Sequence, residues 1–119
     1  LRGFMKGFMD MVFRFEDRYY LVDWKSNFLG VSVKDYGAEN LARAMEENLY
    51  TLQYTLYTLA LNQYLKLRAQ RYDYDRHFGG ILYVFLRGVD PDKGPEFGVY
   101  RDKPQRALIE ALSEELIGK

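Results

Sequence analysis

Two neighbouring segments with alternating apolar residues constrain the fold of this chain more than any other feature. In residues 4–15 the odd positions are almost wholly apolar, and the even positions include Asp10. In residues 19–25 the even positions are apolar, and the odd positions include Asp23 and Lys25. Alternation with a period of two predicts β-strands with one apolar face. We therefore expect a β-hairpin whose apolar face packs inward and whose charged face borders a wet cleft.

The register of this hairpin decides how close its charged residues lie. Facing residues of an antiparallel pair share a face, and matching the two apolar faces leaves two registers. One has residues 16–17 as a two-residue turn and places Asp10 opposite Asp23. The other has a longer loop and places Asp10 opposite Lys25. Because facing like charges destabilise a sheet, we expect a divalent cation to compensate the carboxylates. The alternative is a surface hairpin with ordinary charges.

The remaining residues have the pattern of an α/β domain. Apolar residues recur at spacings of three and four across residues 39–71, which predicts a helical region with a break near residues 47–49. An apolar run at residues 81–86 predicts a buried strand, and residues 97–101 predict a short edge strand. Pro104 suits the first turn of a C-terminal helix. Loops or turns are expected at residues 26–37, 72–80 and 90–98. This order of elements predicts a mixed β-sheet flanked by helices.

Composition narrows the class of protein. The 119 residues suffice for one domain, 48% of them are hydrophobic, and no cysteine is present. Disulfides, thiolate metal sites and cysteine nucleophiles are therefore excluded. Basic and acidic residues balance at 17 each, so contact with nucleic acid has to be local. No apolar run approaches the ~20 residues that span a membrane. We expect a cytoplasmic protein and a fragment of a longer polypeptide.

The charged hairpin and several other stretches carry a resemblance to a known family. Asp10, followed on the next strand by Asp23-Trp24-Lys25, resembles the PD-(D/E)XK nuclease superfamily, with Met9 in place of its proline. Within that superfamily the chain resembles the C-terminal nuclease domains of the RecB family, the beta subunits of bacterial exonuclease V. The matching stretches are residues 7–13, 19–27, 52–61, 77–80 and 85–88.

The resemblance implies a fold, an activity and partners. The fold is restriction-endonuclease-like, and the activity is Mg²⁺-dependent hydrolysis of unwound DNA strands during double-strand break repair and recombination, with Mn²⁺ as a substitute metal. The implied partners are DNA and the other subunits of a RecBCD-like helicase-nuclease complex, whose helicases deliver the DNA to this neutral domain. The alternative is a catalytically inactive domain on the same scaffold that binds DNA or docks other subunits.

The resemblance also assigns site residues one by one. Asp10 and Asp23 match the family's metal-binding aspartates, and Lys25 matches its catalytic lysine. The backbone carbonyl of Trp24 matches the position that completes the metal shell. All four assignments concern the two strands of the predicted hairpin, so they require its charged residues to lie together.

A helical motif extends the predicted site. Gln53 and Tyr57 match the Q-x-x-x-Y motif of the family, and residues four apart on a helix face the same way, here toward the active site or the DNA backbone. The alternative is a packing stripe in which Gln53 is satisfied locally. The family usually supplies another metal ligand from a helix before the first strand, and only nine residues precede Asp10. We expect that helix to be absent, the metal site to be weakened and an exposed apolar surface to favour self-association.

Overall fold

The computed structural model describes residues 12–94 and 96–118. Within them the chain forms an α/β domain around a four-stranded sheet. The strands are β1 (Val12–Phe15), β2 (Arg18–Lys25), β3 (Phe78–Phe85) and β4 (Val99–Asp102). The α-helices are α1 (Ala38–Glu47), α2 (Tyr50–Arg68), α3 (Tyr74–His77) and α4 (Arg106–Ile117). Short 3₁₀ helices, Val33–Tyr36 and Leu86–Gly88, lie in connections. The α/β class and the mixed sheet flanked by helices are confirmed, and the architecture is that of a restriction-endonuclease-like fold.

The strands lie in the order β1-β2-β3-β4. β1 and β2 are antiparallel, with Val12 opposite Leu21 and Phe15 opposite Arg18. This is the register with the two-residue turn, and Glu16 in that turn has a φ of 58°. β2 is parallel to β3, and β3 is antiparallel to β4. Parallel neighbours need a crossover connection, which α1 and α2 provide here.

One face of the sheet packs against α2 and forms the core. In the parallel register Leu21 lies opposite Ile81, and Asp23 lies opposite Tyr83. Leu21, Ile81 and Tyr83 are all buried, so the odd-numbered residues of β2 face the core. The predicted orientation of this strand was therefore wrong, because its even face carries Trp24, which is 61% exposed. The orientation of β2 is decided by its pairing with β3. The odd-numbered residues of β3 lie under α2, and the parallel register places the odd-numbered residues of β2 on the same face.

The opposite face of the sheet carries exposed aromatic residues. Phe13 of β1 stacks on Tyr20 of β2, with 5.1 Å between ring centroids. The apolar residues of the hairpin thus share a face, as predicted, although Phe13, Phe15 and Trp24 are exposed. Such a surface agrees with the expected exposed apolar face, and self-association through it stays a prediction.

The long helical region breaks where the sequence predicted. α1 ends at Glu47, and the side-chain amide of Asn48 donates to the Ala44 carbonyl, 2.8 Å away. Leu49 then takes a left-handed conformation with a φ of 58°, and α2 begins at Tyr50. A left-handed residue cannot continue an α-helix, so the chain changes direction there.

Other boundaries also differ from the predicted ones, and β4 covers Val99–Asp102 instead of residues 97–101. β3 begins at Phe78, and α3 precedes it directly, so the region predicted as a turn contains both a helical turn and three strand residues. The last helix begins at Arg106 instead of Pro104. Pro104 is buried, and its carbonyl accepts a hydrogen bond from the Tyr74 hydroxyl, at 2.5 Å. That contact holds the proline against α3 and outside the helix.

The helices otherwise complete the core. Leu41 and Met45 of α1 and Ile109 of α4 are fully buried. α4 packs on α2, where Gln63 donates to Ser113 at 2.6 Å. α4 ends at Gly118, whose φ of 86° suits a helix C-terminus. None of the helices of residues 12–94 and 96–118 has the length and apolar character needed to cross a membrane.

Candidate active site

An ion pair lies at the carboxyl end of β2, beneath α2. Lys25 Nζ is 3.0 Å from Asp23 Oδ2, and the two side chains are 15% and 14% exposed. Residues two apart on a strand share a face, and here that face is the core side of the sheet. The structure therefore brings together the two predicted residues of β2, at the edge of the core rather than on a fully wet surface. Partial burial strengthens the attraction between such charges and makes each dependent on the other.

Two tyrosine rings surround the lysine. Lys25 Nζ lies 4.1 Å from the ring centroid of Tyr50, the first residue of α2, and 5.3 Å from that of Tyr83 on β3. An ammonium over an aromatic face is attracted by the ring quadrupole. The rings also contact each other, with their centroids 5.7 Å apart. The ammonium is thus held between a helix and a strand that are far apart in the sequence.

Gln53 of α2 links the lysine to the neighbouring hydroxyl groups. Its Oε1 accepts from Lys25 Nζ at 3.4 Å and from the Tyr83 hydroxyl at 2.5 Å. Its Nε2 donates to the Tyr57 hydroxyl at 3.4 Å. Gln53 was predicted either to face the active site or to be satisfied locally, and both interpretations apply. The amide has a partner on its own helix, Tyr57, and it also contacts the predicted catalytic lysine. Gln53 and Tyr57 lie on the same side of α2, as their spacing predicted.

The hydroxyl of Tyr83 is a hydrogen-bond donor under all ordinary conditions. Its side chain is 1% exposed. Burial raises the pKa of Tyr83 far above its ordinary value, and the negative charge of Asp23 raises it further. The phenol therefore keeps its proton, and it donates that proton to an acceptor instead of competing for one.

Asp10, the remaining predicted catalytic residue, lies outside the described residues. Its position opposite Asp23 stays a prediction, although the described pairs of β1 and β2 follow the register that implies it. Among residues 12–94 and 96–118, no three histidine or acidic side chains gather closely enough to hold a metal ion. The carboxylate predicted to join Asp23 is that of Asp10, so the two-carboxylate site stays a prediction. The side chain of Trp24 points to the other face of the sheet, and its carbonyl stays a predicted ligand.

The loop that follows Lys25 is fixed by contacts that the sequence did not indicate. The Tyr50 hydroxyl donates to Asn27 Oδ1 at 3.1 Å. Arg87, which follows β3, donates through Nε to the Ser26 carbonyl at 2.8 Å. These contacts tie the end of β2 to α2 and to the end of β3, so the edge of the site is braced from both sides.

Tyr83 was missed as a site residue, yet the sequence contains a signal for it. It is the only residue with a polar side-chain group in the apolar run at residues 81–86. A buried tyrosine hydroxyl usually has a hydrogen-bond partner. The predicted buried strand therefore favoured a polar group next to Tyr83, but the identity of that group depended on how α2 packs.

The arrangement has the components of a site for phosphate chemistry. Asp23 supplies hard carboxylate oxygens, the donor type that Mg²⁺ prefers. Lys25 supplies a positive charge and N–H donors that suit a phosphate oxygen. Both are partly shielded from water, which strengthens their interaction with a charged substrate.

Comparison with known proteins identifies relatives of this chain. It is 50% identical over 118 residues to the RecBCD enzyme subunit RecB of Escherichia coli (strain K12), an alignment that covers 99% of this chain and 10% of that protein. The RecB subunit of Haemophilus influenzae is 46% identical over 112 residues, 94% of this chain and 9% of its own length. That of Mycobacterium tuberculosis is 41% identical over 98% of this chain and 11% of its own length. No protein-family model matches the chain.

Proposed function

Since this chain belongs to the RecB family, as a segment about one tenth as long as the relatives it matches, we propose that it is a Mg²⁺-dependent deoxyribonuclease domain. It hydrolyses phosphodiester bonds of unwound DNA strands, in the manner of an exodeoxyribonuclease V beta subunit. The activity serves double-strand break repair and recombination.

The observation that carries this proposal is the cluster of Asp23, Lys25 and Gln53. A carboxylate and a lysine on one strand lie 3.0 Å apart, and the glutamine of the helical motif contacts the lysine. The resemblance to RecB-family nucleases implies that Gln53 faces the active site or the DNA backbone, and here it contacts Lys25 although 28 positions separate the two residues. If these were ordinary surface charges, a contact between Lys25 and a glutamine of α2 would not be expected. The cluster of all three residues therefore favours the catalytic interpretation.

The donor set fits Mg²⁺ when Asp10 is included. Mg²⁺ is usually bound by one or two carboxylates, with water and substrate phosphate completing its octahedral shell. We propose that Asp23 and Asp10 supply these carboxylates and that the carbonyl of Trp24 supplies a third oxygen. When bound, the metal stabilises the negative charge that develops on the phosphate oxygens.

Lys25 has a separate role in the proposed reaction. An ammonium has three N–H donors, and Asp23 and Gln53 accept from two of them. We propose that the third donates to an oxygen of the scissile phosphate or to the attacking water when the strand is bound. Water adds to phosphorus, and the bond from phosphorus to one deoxyribose oxygen breaks, with a proton passing to that oxygen. The positive charge of Lys25 favours the more negative transition state over the ground state.

The absence of net charge agrees with a domain that receives its DNA from a larger assembly. Seventeen basic and 17 acidic residues give no long-range attraction for a polyanion. We propose that the other subunits of a RecBCD-like complex and the remainder of the longer chain deliver the strand. The contacts of this domain with DNA are then local ones, made at the end of β2.

The first test is a titration of Mn²⁺ followed by calorimetry, with Asp10→Ala and Asp23→Ala beside the wild type. We expect both substitutions to abolish binding, because each removes a carboxylate ligand. Asp92→Ala, in an exposed loop, is the matched control and should bind as the wild type does. A longer polypeptide, extended toward the N-terminus, belongs in the same series, since it restores any ligand supplied from there.

The second test measures cleavage of linear single-stranded DNA by the full-length protein that contains this chain. We expect cleavage in Mg²⁺, its loss in EDTA, and a loss of about 100-fold or more in Asp10→Ala. A folded wild-type protein that binds DNA and leaves it intact in both Mg²⁺ and Mn²⁺ contradicts the nuclease proposal. That outcome supports the inactive DNA-binding alternative.

A further inference from the structure

We propose that Tyr83 is a positioning residue of this site: its hydroxyl fixes the side-chain amide of Gln53 and, through the amide, the ammonium of Lys25. The inference rests on the proposed nuclease function, which it deepens by adding a residue from β3. No motif of the hairpin or of α2 includes Tyr83, so the assignment comes from the packing of β3 beneath α2.

The neighbours of the Gln53 amide favour one of its two orientations. Its Oε1 faces two donors, the Tyr83 hydroxyl at 2.5 Å and Lys25 Nζ at 3.4 Å, while its Nε2 faces the Tyr57 hydroxyl. Rotation of the amide by half a turn would turn its N–H groups toward the ammonium of Lys25, which has no acceptor. Only the orientation with Oε1 toward Lys25 therefore satisfies the lysine, and in that orientation the same oxygen also accepts the shorter contact, from the Tyr83 hydroxyl.

The position of the Tyr83 hydroxyl is fixed by packing. Tyr83 is buried, and its ring is held by Tyr50 on one side and by Tyr54 on another, each with 5.7 Å between centroids. The hydroxyl therefore stays beside the Gln53 amide, to which it donates. A fixed donor of this kind stabilises one orientation of a half-buried glutamine that would otherwise sample several rotamers.

The ammonium of Lys25 needs a restraint from outside its own strand. A lysine has a flexible four-carbon stem, and a small displacement of a reacting group lowers the rate of a reaction that depends on alignment. Asp23 holds the ammonium from its own strand, and Gln53 holds it from α2. Tyr83 makes the second restraint rigid, so β2, β3 and α2 together define the position of one nitrogen atom.

The experiment is a double-mutant cycle of Tyr83→Phe and Gln53→Ala in the full-length protein, with kcat and KM measured on single-stranded DNA in Mg²⁺. Tyr83→Phe keeps the ring over which Lys25 lies and removes only the hydroxyl. We expect kcat to fall about fivefold, the effect of one lost hydrogen bond, with KM unchanged. If Tyr83 acts through Gln53, adding Tyr83→Phe to Gln53→Ala lowers kcat no further.

Tyr74→Phe is the matched control, because Tyr74 is also buried and also donates its hydroxyl at 2.5 Å, but to the Pro104 carbonyl. Its effect should be small and should multiply with that of Gln53→Ala. If Tyr83→Phe does not fold, Gln53→Leu tests the same link from the half-buried side, and it should lower kcat to the level of Gln53→Ala.

The outcomes separate this inference from the nuclease proposal. Losses from Tyr83→Phe and Gln53→Ala that multiply in an active protein overturn the positioning role and leave the nuclease proposal intact. A wild-type kcat in either Tyr83→Phe or Gln53→Leu also overturns the positioning role and leaves the nuclease proposal intact. A folded wild-type protein without Mg²⁺-dependent cleavage overturns both proposals together.

Discussion

Two tyrosine–carboxylate pairs lie on the core face of the same sheet, and they differ in what surrounds the carboxylate. At one end Asp23 of β2 lies beside Tyr83; at the other the Tyr54 hydroxyl donates to Asp102 Oδ2 of β4. Burial raises the pKa of both tyrosines far above the ordinary value. The other oxygen of Asp102 accepts from the backbone N–H of Lys103 at 2.8 Å. Asp23 instead pairs with the ammonium of Lys25.

The different partners of Asp23 and Asp102 indicate different roles for the two tyrosine–carboxylate pairs, one in the reaction and one in stability. Both oxygens of Asp102 are bonded to neutral donors of the chain itself, which fastens β4 to α2 and to the segment that follows. The partner of Asp23 is a charge on a flexible side chain, and a metal ion or a phosphate can compete with it. We therefore expect Asp102 to matter for stability and Asp23 to matter for the reaction.

The most severe test of this difference is to neutralise each carboxylate in turn. Asp23→Asn should lower the rate of Mg²⁺-dependent DNA cleavage by at least about 100-fold, because an amide is a poor substitute for a carboxylate ligand. Asp102→Asn should leave the rate within about threefold and should lower the free energy of unfolding by about 1–2 kcal/mol, through its weakened bond to Tyr54. Cleavage rates and urea unfolding of both variants decide the matter. Equal losses of activity would remove the distinction.

Two lysines that lie over aromatic rings, Lys25 at the end of β2 and Lys103 directly after β4, give a second comparison. Lys25 lies over the Tyr50 ring, and Lys103 lies over the Tyr74 ring with Nζ 5.4 Å from its centroid. Lys25→Met should lower kcat by about 100-fold, the usual cost of removing one group that stabilises developing charge. Lys103→Met should have a negligible effect on kcat, since its ammonium donates to the Asp75 carbonyl instead.

A Lys25→Met protein that keeps more than about one tenth of the wild-type rate would contradict the role of this lysine. Thermal unfolding of both variants supplies the control, because each replaces a partly buried ammonium by an apolar chain of similar length. Comparable melting temperatures for the two would show that the difference in rate comes from chemistry.

Unfolding at alkaline pH tests whether Tyr83 and Tyr54 both have a raised pKa in the folded protein. Tyrosines in the unfolded chain ionise at their ordinary pKa of 10.0, whereas burial raises the pKa of Tyr83 and of Tyr54 in the folded protein. Their contribution to stability is therefore complete below about pH 10 and is lost as the pH rises above it. Tyr83→Phe and Tyr54→Phe should each reduce this loss by roughly 1.4 kcal/mol per pH unit.

The measurement is urea unfolding at a series of pH values from 9 to 11. Equal reductions would show that both phenols stay protonated in the folded protein over this range, so that their different neighbours account for any difference in activity. A Tyr83→Phe protein with the full alkaline loss would mean that the hydroxyl of Tyr83 reaches solvent, which would undermine its place in the site.

Local patterns in the sequence predicted the parts of the fold that depend on neighbouring residues. Matching the apolar faces left two registers for the hairpin, and the structure has the one with the two-residue turn at residues 16–17. The break before Tyr50 followed from the length of the helical pattern. The side of the hairpin that is buried did not follow, because it depends on where α2 lies. Trp24 is apolar and yet exposed, whereas the charged Asp23 lies under the helix.

The same distinction applies to the candidate site. Asp23, Lys25, Gln53 and Tyr57 were identified from short motifs, and the structure brings them together. The tyrosines that hold the lysine were not assigned to the site, since their roles arise from contacts across dozens of residues. Tyr83 reaches Gln53 from 30 positions away, and no local pattern encodes that pairing.

The smallest expected effect concerns what the ring of Tyr50 contributes to Lys25. Tyr50→Phe keeps the ring and removes the hydrogen bond to Asn27, so it should change kcat by less than about twofold. Tyr50→Leu removes the ring itself and should lower kcat by about two- to fivefold, the size of one cation–π contact. Steady-state kinetics on single-stranded DNA separate the two variants. If Tyr50→Phe has the lower kcat of the two, the hydrogen bond that holds the loop after Lys25 matters more than the aromatic ring beside the ammonium. In that case the lysine is positioned by Asp23 and Gln53 alone.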